Sequence, residues 1–239
     1  MLEVGYQQHT LNKIRQVLVS PLLLLFEGTK VHLWFLSSLS LGVVLLTFFI
    51  GIGRPGLLIF FSVLLFAVGL FAGSYSVTPL GLNLPFISRD GPFLSTICLG
   101  LGFLIYQRRQ ARLSAAQAFL FISSGLALHV GETWALWKYY ATPMLNHDYL
   151  IGTVICSVGV LLLALAAPDI GRSGKLYTLG ECTFGVYLCH YFFVDALGPL
   201  TYLFELHIWQ FLFPFLVFLL SQAMALMLTR WSWSKALVT

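Results

Sequence analysis

Seven long apolar runs, separated by short breaks, constrain this chain more than any other feature of its sequence. They cover residues 32–51, 56–77, 92–107, 114–137, 148–167, 176–197 and 208–231. A helix crosses the ~30 Å hydrocarbon core of a bilayer with about 20 apolar residues, each rising ~1.5 Å. Within that core every backbone N–H and C=O must be paired inside the protein, which leaves helices or a closed barrel as spanning elements. The runs are continuous and do not alternate with period two, so helices are expected. Charged residues make up only 9% of the chain, against roughly a quarter in soluble domains. The expectation is an all-α integral membrane protein with about seven transmembrane helices in one bundle, residues 32–239, after an extracytoplasmic N-terminal segment, 1–31.

Breakers fall between the runs: Gly53-Arg54-Pro55, the 79–85 loop, Pro143, Pro168 and Pro199. Run 92–107 is the shortest, so its ends are the least fixed. No cleavable signal peptide is visible, since residues 1–16 are polar and the apolar stretch 17–26 contains Pro21 and runs into Glu27. Cys98, Cys156, Cys182 and Cys189 lie within apolar runs and form no C-x-x-C pair, which argues against a disulfide framework and a zinc site. No metal is expected.

The net charge of +4 comes from basic residues clustered between apolar runs, not from a basic stripe interleaved with aromatics, so nucleic acid is not an expected partner. Arg108, Arg109, Arg112, Arg172, Lys175, Arg230 and Lys235 fall on one side of the membrane once the helices alternate, and Arg54 joins them. By the positive-inside rule that side is cytoplasmic, as is the C-terminus, and the N-terminus is extracytoplasmic. Arg89 and Lys138 then lie outside, together with Lys13, Arg15 and Lys30, so the N-terminal segment departs from the rule.

Ionisable side chains within spans are costly, and each is a candidate for function. They are His32, His129, Glu132, Glu181, His190 and Asp195. His129 and Glu132, three apart, share a helical face. On a straight helix His190, thirteen residues beyond Tyr177, lies ~20 Å into its span. All but Glu181 fall in the outer half of the bundle, as a polar chamber opening outward requires. Bland readings stand beside these: His32 and Trp34 in the headgroup layer, His129 and Glu132 bonded for structure, Asp195 as a helix cap. A retinal protein needs a lysine in its last span, and run 208–231 has none. A b-type cytochrome stays open, with His129 and His190 as axial candidates.

Two stretches resemble a known family. His32-Leu33-Trp34-Phe35-Leu36, at the outer start of a span, resembles the HLWFL signature of the membrane-bound acyltransferase-3 family, bacterial surface-glycan O-acyltransferases. Leu179-Gly180-Glu181-Cys182-Thr183-Phe184-Gly185-Val186-Tyr187-Leu188-Cys189-His190 resembles the family's later LG-x-x-S/T-F/Y-G-x-Y-L-x-H stretch. Pro92-Phe93 followed by Leu99-Gly100 resembles its PFF…LG span.

The resemblance implies acyl transfer, usually acetyl from acyl-CoA, to a hydroxyl of a surface glycan or related acceptor at a bacterial inner membrane. Taken with the outward-opening chamber, it makes His190 and His32 the expected catalytic imidazoles, and Trp34, Tyr187, His129, Glu132 and Arg89 the expected acceptor contacts. Tyr187, one turn from His190, is expected as its hydrogen-bond partner. Arg108, Arg109 and Arg112 are expected to meet the CoA phosphates or to serve topology alone. Family members carry, in their first helix, an Arg followed eleven positions later by a His, the pair to which the family's catalysis is attributed. Here Arg15 is followed eleven later by Phe26, and no other Arg meets the pattern. The chain is therefore expected to be the C-terminal portion of such an enzyme, lacking its first helices; the alternative is a non-catalytic transporter or accessory scaffold.

Overall fold

The computed structural model describes residues 34–84, 87–108, 114–170, 172, 174–205 and 207–231. Among them every regular element is helical, as an apolar chain that must satisfy its own backbone requires. The chain divides after Pro168 into two compact units.

The first unit contains α1 (Trp34–Gly51), α2 (Pro55–Ala72), a 3-10 turn (Ser88–Asp90), α3 (Pro92–Gln107), α4 (Ala115–Tyr140) and α5 (Ile151–Ala166). Pro55 and Pro92 open α2 and α3, where a missing N–H costs nothing. Ser114 and Gln117 form a reciprocal capping box that starts α4. The same helix ends on Ala141 in the left-handed region at φ 56°, ahead of Pro143.

Helices α1 and α2 both pack on α3, and α4 packs along α5. In apolar surroundings hydroxyls pair within the protein. Ser38 Oγ donates to Gly91 O at 2.8 Å, and Ser95 Oγ to Ser38 O at 2.6 Å. The α4–α5 contact is closer still, because glycines let backbone meet backbone. A Cβ added at Gly159 would stand 2.6 Å from Ile122 N, and at Gly125 or Gly152 it would collide with the backbone of Cys156 or His129. This intimacy carries His129 and Glu132 of α4 to the start of α5.

The second unit contains α6 (Gly174–Glu181), α7 (Thr183–Ala196), a 3-10 segment (Gly198–Glu205) and α8 (His207–Leu228). Helix α7 packs on α8. Gly185 and Cys189 are buried on α7, and Val217, Ser221 and Ala225 on α8, a spacing of four that lines small side chains along each helix.

Trp34–Gly51, Pro55–Ala72, Ala115–Tyr140 and Ile208–Leu228 are long and apolar enough to cross a membrane. Helices α3 and α5, of 16 residues each, reach only about 24 Å at ~1.5 Å per residue. The run expected as one span over 176–197 is not one helix. It breaks at Cys182 between α6 and α7, where the Thr183 hydroxyl turns back to donate to Gly180 O at 2.7 Å, a local bond that competes with the helix ladder. The distance from Tyr177 to His190 therefore does not measure a depth along one straight helix.

Candidate functional site

In the first unit the beginnings of α1, α3 and α5 and the ends of α2 and α4 lie at one end, and the polar side chains gather there. Glu132 is the centre of the network. Its Oε2 accepts from Gly152 N at 2.9 Å, and its Oε1 from Ile151 N at 3.2 Å and from the Tyr75 hydroxyl. The carboxylate thus occupies the N–H groups that open α5, where a helix favours negative charge. Burial, with Glu132 adding to it, raises the pKa of the Tyr75 phenol far above its ordinary value, so Tyr75 remains a donor. His129, one turn before Glu132, does not bond to it: its Nδ1 lies 3.1 Å from Thr153 Oγ1, which also accepts from Leu150 N at 3.0 Å.

Arg89, on the 3-10 turn, reaches Asp148 Oδ1 with Nη1 at 3.0 Å and Asp90 Oδ1 with Nε at 3.4 Å. Its guanidinium stands 5.7 Å from the centroid of the Trp34 ring, within cation–π range. Next along the loop, Tyr149 is buried in the core with Leu70 and Phe93, and Ser74 Oγ donates to its carbonyl at 2.7 Å. Burial foremost pushes the Tyr149 phenol up to about 12, with Asp148 adding to it and the nearby Ser88 hydroxyl opposing. The two hydroxyls lie beside one another, outside hydrogen-bond geometry.

In the second unit His190 Nδ1 is 2.6 Å from the backbone carbonyl of Tyr187. A carbonyl only accepts, so Nδ1 carries the proton and, in the neutral ring, Nε2 carries the lone pair. The ring centroids of the two residues are 5.7 Å apart. The expected pairing of Tyr187 with His190 thus includes a bond through the main chain.

Trp34, Arg89, His129 and Glu132 come together at one end of the first unit, while His190 and Tyr187 belong to the second. Arg108 is exposed at the C-cap of α3, at the opposite end from Arg89. His32, Arg109 and Arg112 lie outside the described residues. The sequence reading missed Ser74, Tyr75 and Tyr149, which lie within the runs 56–77 and 148–167 but carry no charge at neutral pH, and His147, which lies between two runs.

Residues 3–229 match the family model described as an acyltransferase domain. No curated protein and no solved structure matches the chain. Since the family match runs through nearly the whole sequence, taking in both signature stretches and every described helix, the chain belongs to the acyltransferase-3 family.

Proposed function

We propose that the protein is a membrane acyltransferase that moves an acyl group, usually acetyl, from acyl-CoA to a hydroxyl of a surface glycan or related acceptor. Its place is the bacterial inner membrane, with the C-terminus cytoplasmic and the N-terminus outside. The observation that carries this reading is the family match over residues 3–229. The gathering of Trp34, Arg89, His129 and Glu132 at one end of the first unit, with Arg108 at the other, supports it.

In this reading the polar end faces the acceptor, and Arg108, with Arg109 and Arg112, meets the phosphates of CoA. Such a reaction needs a base for the hydroxyl proton and donors for the oxyanion formed as oxygen attacks the thioester carbon. His190 suits the first task, because its Nδ1–H is held by Tyr187 O and its basic nitrogen is defined. His32 is its counterpart from the first signature. Arg89 and Trp34 offer a charged group and an aromatic face of the kind that holds a polyhydroxyl acceptor.

The test is acyl transfer by membranes carrying this chain, supplied with labelled acetyl-CoA and glycan acceptors. Label should reach ester linkage, and His190→Ala should abolish transfer at unchanged protein level. Equal turnover by the variant removes His190 from the site, and no transfer by the wild-type chain, in which no Arg is followed eleven positions later by a His, favours the non-catalytic alternative.

A further inference from the structure

Arg89 is held from two sides. Its Nη1 donates to Asp148 Oδ1 at 3.0 Å, and its Nε lies 3.4 Å from Asp90 Oδ1. Both carboxylates stand on fixed backbone. Asp90 closes the 3-10 turn, where its N–H donates to Ile87 O at 3.1 Å, and it is buried. Asp148 is followed by Tyr149, whose ring packs with Leu70 and Phe93 and whose carbonyl accepts from Ser74 Oγ at 2.7 Å. A long arginine side chain samples many rotamers when left alone. Here two anchored acceptors, with the Trp34 ring centroid 5.7 Å from the guanidinium carbon, select one arrangement.

The held group still has unused capacity. A guanidinium carries five N–H donors in a rigid plane. Nε and Nη1 are engaged, whereas Nη2 has no protein partner among the described residues and is open to solvent. The Arg89 side chain is 29% exposed and that of Asp148 37%, so an incoming molecule meets Nη2 without displacing the contacts that hold the arginine. With two carboxylates against it, the guanidinium carries no surplus charge for an anion. What it offers is N–H donors beside an indole face, which suit the oxygens and C–H surface of a neutral polyol.

The two carboxylates differ in what they can set. Asp90 is the next residue in the chain and moves with Arg89, at a long 3.4 Å. Asp148 comes from the α4–α5 connection at 3.0 Å, and among the described residues its carboxylate bonds to nothing else. A partly exposed pair of this kind adds little stability, so orientation is the larger consequence. We propose that Asp148 is a positioning residue for acceptor binding: it sets Arg89 against the Trp34 ring so that Nη2 is presented to a hydroxyl of a neutral polyol acceptor. The assignment rests on the acyltransferase reading above, and it adds a residue that acts through Arg89 without touching substrate.

Two measurements test it. The first needs no turnover: the full chain is labelled with 5-fluorotryptophan and purified in detergent, and the Trp34 fluorine resonance is assigned by its loss in Trp34→Phe. Asp148→Ala should move that resonance in the direction Arg89→Ala moves it, and the double variant should match Arg89→Ala. Asp148→Asn, which keeps an acceptor oxygen without the charge, should move it less. The remaining fluorotryptophan resonances, unmoved, report that each variant is folded; if Asp148→Ala is not, Asp148→Asn is read in its place. A Trp34 resonance indifferent to Asp148 overturns the assignment. The second measurement compares the variants in the membrane transfer assay. Asp148→Ala should raise the KM for a neutral acceptor about three- to fivefold, the size expected for losing one orienting, partly exposed ion pair. The effect should fall on KM and not on kcat, and Asp148→Asn should recover part of it. In the Arg89→Ala background Asp148→Ala should change KM no further; additive losses, or an unchanged KM in the single variant, overturn the assignment. If the wild-type chain transfers no acyl group, the acyltransferase reading falls by itself, and the fluorine spectrum decides whether Asp148 orients Arg89.

Discussion

Replacing Glu132 by Gln removes one negative charge and turns one acceptor into a donor, with almost no change in shape. Oε1 serves two donors, Tyr75 and Ile151 N, and Oε2 serves Gly152 N at 2.9 Å. The amide does least harm with its oxygen in the Oε1 position, which leaves its NH2 facing the Gly152 N–H, donor against donor. One partly buried N–H then goes unmatched, at about 1–3 kcal/mol, and the favourable charge at the α5 N-terminus is lost, about 0.3–1 kcal/mol. For a protein of this size a loss of 2 kcal/mol lowers the unfolding temperature by about 4–8 °C. Glu132→Ala, which strips all three donors, should fall further. The partly buried Cys156 of α5 and the buried Cys182 and Cys189 provide the assay, since a thiol-reactive dye in detergent reports unfolding as these thiols become exposed. The reasoning fails if Glu132→Gln unfolds at the wild-type temperature. An equally stable variant with lost acyl transfer would make Glu132 a substrate contact and not the clamp of α5.

Further outcomes follow from the same contacts. Gly159→Leu drives a side chain into the Ile122 backbone, where even a Cβ would lie at 2.6 Å; it should cost several kcal/mol by overpacking, seen as loss of the folded species in detergent chromatography, whereas Gly102→Leu, with open space around it, should be tolerated. His147 has its protonation disfavoured below the ordinary 6.5, by burial first and His129 second, against the opposing pull of Asp148, so the unfolded chain takes up the proton first. Stability is full above pH 6.5 and is lost as pH falls from there toward the folded value. Thermal unfolding at pH 5.5 and 7.5 should show a larger drop for wild type than for His147→Asn, and equal drops would contradict the assignment of cause. Arg89→Ala should free Asp148 and leave Trp34 without its cation, weakening acceptor binding more than it lowers stability, because the Arg89–Asp148 pair is partly exposed and such pairs contribute little.

The apolar runs showed which stretches become helices, and in places where they end. Run 92–107 matches α3 at both ends, because Pro92 suits the first turn of a helix and the polar Gln107 and Arg108 follow the last apolar residue, Tyr106. The shared face of His129 and Glu132 was legible from a spacing of three. Their partners were not, because run 148–167 reads as helix from Asp148, whereas α5 begins at Ile151. That delay of three residues sets the N–H groups of Ile151 and Gly152 opposite Glu132 and returns Asp148 and Tyr149 to the loop that holds His147. The break at Cys182 was hidden for a related reason, since a hydroxyl-to-carbonyl bond at Thr183 leaves no mark on hydropathy. His147 escaped notice because a histidine in a connection is ordinarily solvated, whereas both nitrogens of this ring are shielded from solvent.

Sidedness tests the central claim most directly. The chain is reconstituted into sealed vesicles, labelled acetyl-CoA is supplied to the face bearing Arg108, and a glycan acceptor is confined to the opposite face. Labelled ester should appear on the acceptor across the membrane, diminished by Arg89→Ala and abolished by His190→Ala. Label appearing only on acceptor placed on the same side as the donor, or no label on either side, would contradict it.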